Sequence, residues 1–154
     1  MTMALATLQF KKDLIVRWAP NAAQATAFSN FCGATGGTLR ISNAIQETVN
    51  SDCQDWSKPP VTEAAYGAQT ATLSLTANFA VENRDKLLRW ALDQLLIPLQ
   101  VQVVGAAVGE IEYLDGIGML PSLDVGGIAN QTGDVLTTSL DIRFKAGVKP
   151  TLKT

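Results

Sequence analysis

The sequence predicts an α+β fold, a β-sandwich or barrel-like arrangement of antiparallel sheets with one α-helix inserted at about 83–96. Three observations carry that expectation. Across Gln69–Phe79, Ala71, Leu73, Leu75, Ala77 and Phe79 strictly interleave with Thr70, Thr72, Ser74, Thr76 and Asn78. A period of two gives one buried face and one wet face. Asn83–Leu96 then sets Leu87, Leu88, Ala91, Leu92, Leu95 and Leu96 at three- and four-residue spacing, the stripe of an amphipathic helix. The other segments are alternating runs cut by Gly, Pro and Asn turns.

Phe10–Ala19 reads as the first strand, with Leu14, Val16 and Trp18 on one face and Asp13 and Arg17 on the other. Pro20 and Asn21 end it. Ala22–Ala34 is Ala-rich and fits either a short helix or a loop leading to a strand around Phe28–Cys32. After the Gly36-Gly37 turn, Thr38–Ser42 alternates again, Leu39 and Ile41 inward, Arg40 and Ser42 outward, and the strand is expected to fray near Val49.

Asn50–Gly67 is polar, holds Pro59-Pro60, and carries Trp56 and Tyr66. It reads as a long connection without regular structure, a kind of segment that is usually functional or disordered. Trp56 is either an interface anchor or an indole folded back on its own core.

The helix is expected to be capped by Asn83 and stopped by Pro98. Glu82–Lys86 and Asp85–Arg89 are i,i+4 pairs of ~0.2–0.5 kcal/mol each. Burial of the five leucines, about 10 kcal/mol gross, outweighs them, so the helix covers a sheet. Its few bases, interleaved with acids, do not make a DNA-recognition helix. Leu99–Val104 is the next strand, and Gly105–Gly109 turns the chain. In Glu110–Val125, Ile111, Tyr113, Ile117, Met119, Leu123 and Val125 are expected inward, with a bulge or bend at Asp115-Gly116 and Gly118. After a loop at Gly126–Gly133, Val135–Lys145 sets Leu136, Thr138, Leu140, Ile142 and Phe144 against Thr137, Ser139, Asp141, Arg143 and Lys145. Residues 1–9 and the basic tail Gly147–Thr154 are expected to be mobile.

At 154 residues, 47% hydrophobic and 17% charged, the chain fits one folded domain. No apolar run approaches the ~20 residues of a membrane span. Met1–Phe10 lacks the basic and long apolar regions of a secretory signal, which makes the cytoplasm the expected compartment. Histidine is absent, and with it the commonest general base and metal ligand. Cys32 and Cys53 are too few for a zinc site and lie in no basic cluster that would make a reactive thiolate; whether they pair stays open. Gly33–Gly37 lacks the Lys-Ser/Thr of a phosphate loop. The best available constellation for an enzyme is Asp52, Asp55 and Glu63, a trio on a polar loop with no histidine. No catalytic, cofactor or metal site is expected.

The net charge of −2 hides an asymmetry. From Arg89 to Arg143 there is no intervening Lys or Arg, while Asp93, Glu110, Glu112, Asp115, Asp124, Asp134 and Asp141 all fall there. Lys11, Lys12 and Arg17 lie early, and Arg143, Lys145, Lys149 and Lys153 late. This is either a solvated acidic face or a set of opposite charges that meet between copies of the chain.

The order of strand, strand, long polar segment, alternating strand, helix, strand and closing hairpin resembles the tail tube proteins of long-tailed bacteriophages and of phage-like particles such as gene transfer agents. Thr38–Ser42 and Gln69–Phe79 flanking Asn50–Gly67, the helix Asn83–Leu96, and the hairpin Glu110–Lys145 carry the resemblance, which spans Asp13 to Gly147. It implies a virion structural protein, assembled in the host cytoplasm, that forms hexameric rings stacked into a hollow tube for genome delivery. Its partners would be copies of itself and tail completion, tape-measure and terminator proteins. DNA would cross the lumen without specific binding. The implied lumen face is Arg40, Ser42, Thr70, Thr72, Ser74, Thr76, Asn78, Glu110, Glu112, Thr137, Ser139 and Asp141. The implied stacking loop holds Asp52, Asp55, Trp56, Pro59, Pro60, Glu63 and Tyr66. The alternative is a monomeric or ring-forming β-sandwich module, such as a tail terminator or a carbohydrate-binding domain.

Overall fold

A computed structural model describes residues 5–21 and 27–154. After a 3₁₀ turn at Lys11–Asp13, the elements are β1 (Leu14–Trp18), β2 (Ser29–Asn30), β3 (Ala34–Asn50), β4 (Val61–Asn78), α1 (Val81–Leu92), β5 (Ile97–Val103), β6 (Ile111–Gly126), β7 (Thr137–Phe144) and β8 (Lys149–Leu152). The strands form one antiparallel sheet in the order β2-β1-β5-β6-β7-β4-β3, with β8 added on β6. Trp18 of β1, Leu99 and Val101 of β5, Leu73 and Leu75 of β4, and Leu140 and Ile142 of β7 meet in one core with Leu87 and Trp90 of α1. Residues from both wings of the sheet therefore converge, and the sheet bends around the helix.

The alternation read in β4 and β7 holds. Ala71, Leu73, Leu75 and Ala77 are buried, as are Thr138, Leu140, Ile142 and Phe144. The strand expected over Phe10–Ala19 is shorter, because Lys11–Asp13 turns before β1 begins. Of Ala22–Ala34, residues 22–26 lie outside the described residues, and Ser29–Asn30 pairs with Trp18 and Arg17 of β1 as the strand alternative expected.

Four readings are corrected. The helix runs Val81–Leu92, not 83–96; Gln94 takes a left-handed φ of 52°, so Leu95 and Leu96 lie in the turn to β5 and Pro98 inside β5. Asn83 is not its cap. The cap position is Ala80, without a side-chain bond, while Asn83 is buried and donates from Nδ2 to the Cys32 carbonyl. In β6 the bulge falls at Leu120-Pro121, between the Met119↔Arg143 and Ser122↔Asp141 pairs. A one-residue bulge reverses the phase of a strand, so Ile117 and Met119 face outward with Arg143, while Leu123 and Val125 face inward with Leu140 and Thr138. Gly116 and Gly118 are instead points of close approach, to Phe144 and to Leu99, Ile142 and Trp90.

The fourth correction concerns the tail. Within Gly147–Thr154, Lys149–Leu152 is strand β8, which sets Lys149 opposite Asp115 and Leu152 opposite Ile111. The Thr151 hydroxyl also bonds the Asp115 carboxylate. The basic end of the chain thus meets part of its acidic middle within one molecule.

Candidate functional site

Two surfaces have no role in the protomer core. The first is an arm. Asn50–Gly67, expected as an unstructured loop, is strand at Asn50 and again from Val61 onward. β3 and β4 pair from Ala34↔Ala77 out to Asn50↔Val61, with a register shift between Asn43 and Ile45, and only residues 51–60 form the turn. Glu63 and Tyr66 are strand residues opposite Thr48 and Ile45; Asp52, Asp55, Trp56, Pro59 and Pro60 occupy the tip. Every residue of β3 from Arg40 to Asn50 is exposed.

At the rise of ~3.3 Å per residue, the part of β3 beyond Asn43 extends roughly 23 Å past the body. The phase of Leu39 continues along β3 through Ile41, Asn43, Ile45, Glu47 and Val49, and Tyr66, 81% exposed, stands opposite Ile45. Three aliphatic side chains and a tyrosine, interrupted by Asn43 and Glu47, thus stand exposed beyond the core.

Two Asx turns shape the tip. Asp52 Oδ1 accepts from the Gln54 amide at 2.9 Å, and Asp55 Oδ1 accepts from the Ser57 amide at 3.0 Å and the Ser57 hydroxyl at 2.5 Å. The Gln54 amide chiefly lowers the pKa of Asp52, and the Ser57 hydroxyl that of Asp55. Lys58 Nζ lies 3.5 Å from Asp52 Oδ2. Trp56, which follows Asp55 directly in the chain, is 84% exposed. It does not fold back on the core.

The second surface is the outward face of β3, β4, β7 and the second half of β6. Register places Arg40, Thr72, Arg143 and Met119 in one row across it. Thr38, Ser74, Asp141 and Ser122 form the next, then Gly36, Thr76, Ser139 and Asp124. Ser42 pairs with Thr70 and Asn78 with Thr137 at the two ends. Ser74 donates to Asp141 Oδ1 at 3.1 Å. Leu73 and Leu75 point away from this face, into the core.

The structure does not bring Glu110 and Glu112 to it. Glu110 sits in the turn before β6, its Oε2 accepting from the Ala107 amide, and Glu112 lies at the opposite end of β6 from the β7 pairing. The acid beside the row is Asp124, which the strand pattern alone could not place without the bulge. Two arginines and two aspartates share the face, and among the described residues none of the four forms an ion pair. No group of three or more His, Cys, Asp or Glu that could hold a metal occurs among the described residues.

A family model described as phage tail tube protein matches residues 9–143. The chain belongs to the phage tail tube protein family. The fold agrees. The tail of an empty gene transfer agent particle, refined with C6 symmetry, has a chain 15% identical at a TM-score of 0.72, covering 94% of this chain and 99% of that one. The virion of a native gene transfer agent particle gives 17% identity and a TM-score of 0.69 over 94% and 99%. The SPP1 tail tube, from solid-state NMR and cryo-EM, gives 10% and 0.64 over 94% and 79%. No curated protein matches the chain. As a tail tube family member, the protein is a structural component of a phage-type tail.

Proposed function

We propose that this tail tube protein assembles in the host cytoplasm into rings of six that stack into a hollow tube, with the β3–β4 arm bridging neighbouring copies and the hydroxyl-rich face lining the channel through which the genome passes. The observation that carries this reading is the arm, two long paired strands that leave the protomer core with Ile41, Ile45, Val49 and Tyr66 exposed. Six-fold symmetry is drawn from the gene transfer agent tail, which has the same fold. The role is structural, not catalytic. Partners other than the chain itself are the proteins that start, measure and end a tail.

The channel face supports passage without retention. Its threonine and serine hydroxyls offer DNA no cation, and its two arginines stand among aspartates. Phosphate contacts from lysine and arginine dominate DNA affinity, so a conduit works best with few of them uncompensated.

Negative-stain electron microscopy of the purified protein tests the proposal. Uniform tubes are expected, and replacing residues 51–60 by a short glycine turn should leave a folded protomer whose tubes are lost. A stable monomer at high concentration would overturn the reading, and rings that never stack would point instead to a terminator-like module.

A further inference from the structure

A groove of about 680 Å³ lies on the outward face of β5 and the first half of β6, and it adjoins the hydroxyl-rich face: its Ile117 is two residues from Met119, and its Lys145 two from Arg143. Phe28, Leu96, Pro98 and Ile117 give it apolar walls. Lys145 and Lys149, on the segment that enters β8, stand at it with Asp115, whose carboxylate is already bonded to Thr151. Pro98 and Ile117 are directly opposed across the β5–β6 ladder, Pro98 buried and Ile117 45% exposed.

We infer that this groove is the socket for the arm tip of a second copy, with the Trp56 indole over Pro98 and Ile117 and the Asp52 and Asp55 carboxylates toward Lys145 and Lys149. The inference rests on the reading that arms bridge copies, and supplies the residues that receive them. The chain cannot fill its own socket in this way, because β7 and β4 separate β6 from β3 in the sheet and the arm extends off the far edge.

The two surfaces match in chemistry. An exposed indole is a large apolar anchor with few rotatable bonds, the residue type that dominates interface energetics. The acids beside it are kept ionised by the hydrogen bonds of the tip. Lys58 offsets Asp52 and leaves Asp55 the freer charge, while the groove presents two lysines against one engaged carboxylate. Opposite charge at the rim orients the approach and the apolar centre holds it.

Cross-linking and tube assays separate this proposal from the one beneath it. Cys53 is exposed on the tip. In a Cys32→Ser chain that also carries Ile117→Cys, oxidation should join copies into a ladder of covalent oligomers, and neither cysteine alone should do so. Trp56→Ala should raise the protein concentration needed for tubes by about thirtyfold, the range of a hot-spot loss. Lys145→Glu with Lys149→Glu should also weaken assembly, and adding Asp52→Lys and Asp55→Lys should restore it. Tubes without the cross-link, and insensitive to Trp56→Ala, would overturn the socket and leave the tube standing. A cross-link without tubes would support the socket and overturn the tube; the absence of both would overturn both.

Discussion

Lys86 Nζ stands 3.7 Å from the centre of the Trp18 ring, so the helix lays a cation on the aromatic wall of the core. Two forces act on that ammonium. Burial pushes its pKa down from the ordinary 10.5 to about 8, while the ring face favours the charged form and opposes the shift.

The pH dependence of stability follows. Below about pH 8 folded and unfolded chains both hold the proton, and the burial cost is constant. From there to 10.5 the folded chain releases it first, the unfolded chain binds more protons, and stability rises with pH. Thermal melts of the wild type and Lys86→Met across this window should show the wild type gaining on the variant. A constant difference would mean that the ring fully offsets burial.

Asn83 is a bridge between the helix and the segment after β2, since its Nδ2 donates to the Cys32 carbonyl at 2.7 Å. Asn83→Leu keeps the approximate size and leaves that oxygen without its donor, at a cost of about 1–3 kcal/mol. Denaturant titration should show a lower midpoint at an unchanged slope.

Gly118 is fixed by space. A Cβ there would lie 2.5 Å from Leu99 Cδ1, 3.1 Å from Ile142 Cγ2 and 3.2 Å from Trp90 Cζ2, all buried side chains of the core. Gly118→Val overpacks this point, and the melting temperature should fall by about 2–12 °C. Gly126→Ala, whose Cβ would meet a single threonine hydroxyl at 3.3 Å, is the milder comparison.

The hydroxyl-rich face is tested by adding charge. Thr72, Ser74 and Asp141 are exposed or half-exposed, so Thr72→Lys, Ser74→Lys and Asp141→Lys should leave the protomer fold intact. If the face lines a channel, tubes of this variant should retain DNA, with an affinity that falls steeply as salt rises. Filter binding at two ionic strengths measures this. Equal retention by wild type and variant would place the face elsewhere.

What the sequence disclosed follows what was buried. β4 and β7 were legible because each has one face in the core, so selection for packing writes a period of two into the residues. The arm has no such face. Val61-Thr-Glu-Ala-Ala-Tyr-Gly pairs as strand with both sides in solvent, and its sequence therefore reads as loop. The helix was legible in its centre and misread at both ends, because Gln94 breaks it without a proline or glycine. Asn83 looked like a cap but satisfies a distant carbonyl instead.

Long-range pairing hid the rest. The reversal at Leu120-Pro121 is visible only when β6 is laid against β7, and it decides that Asp124 joins the hydroxyl rows and Glu112 does not. Lys149-Pro150 reads as tail because proline suits an edge strand as readily as a coil. The groove gathers residues from Phe28 to Lys149, which no local pattern connects.

The position of the arm in the chain also bears on when a subunit can polymerise. β3 and β4 are made before β7, whose pairing with Thr72–Asn78 anchors the hairpin to the body. Ribosomes add ~5–20 residues per second, which separates Asn78 from Phe144 by roughly 3–13 s. A two-stranded ribbon is marginal in water during that interval, and so is the edge it would offer to another copy. The edge that β3 offers therefore becomes permanent only when the chain is nearly complete.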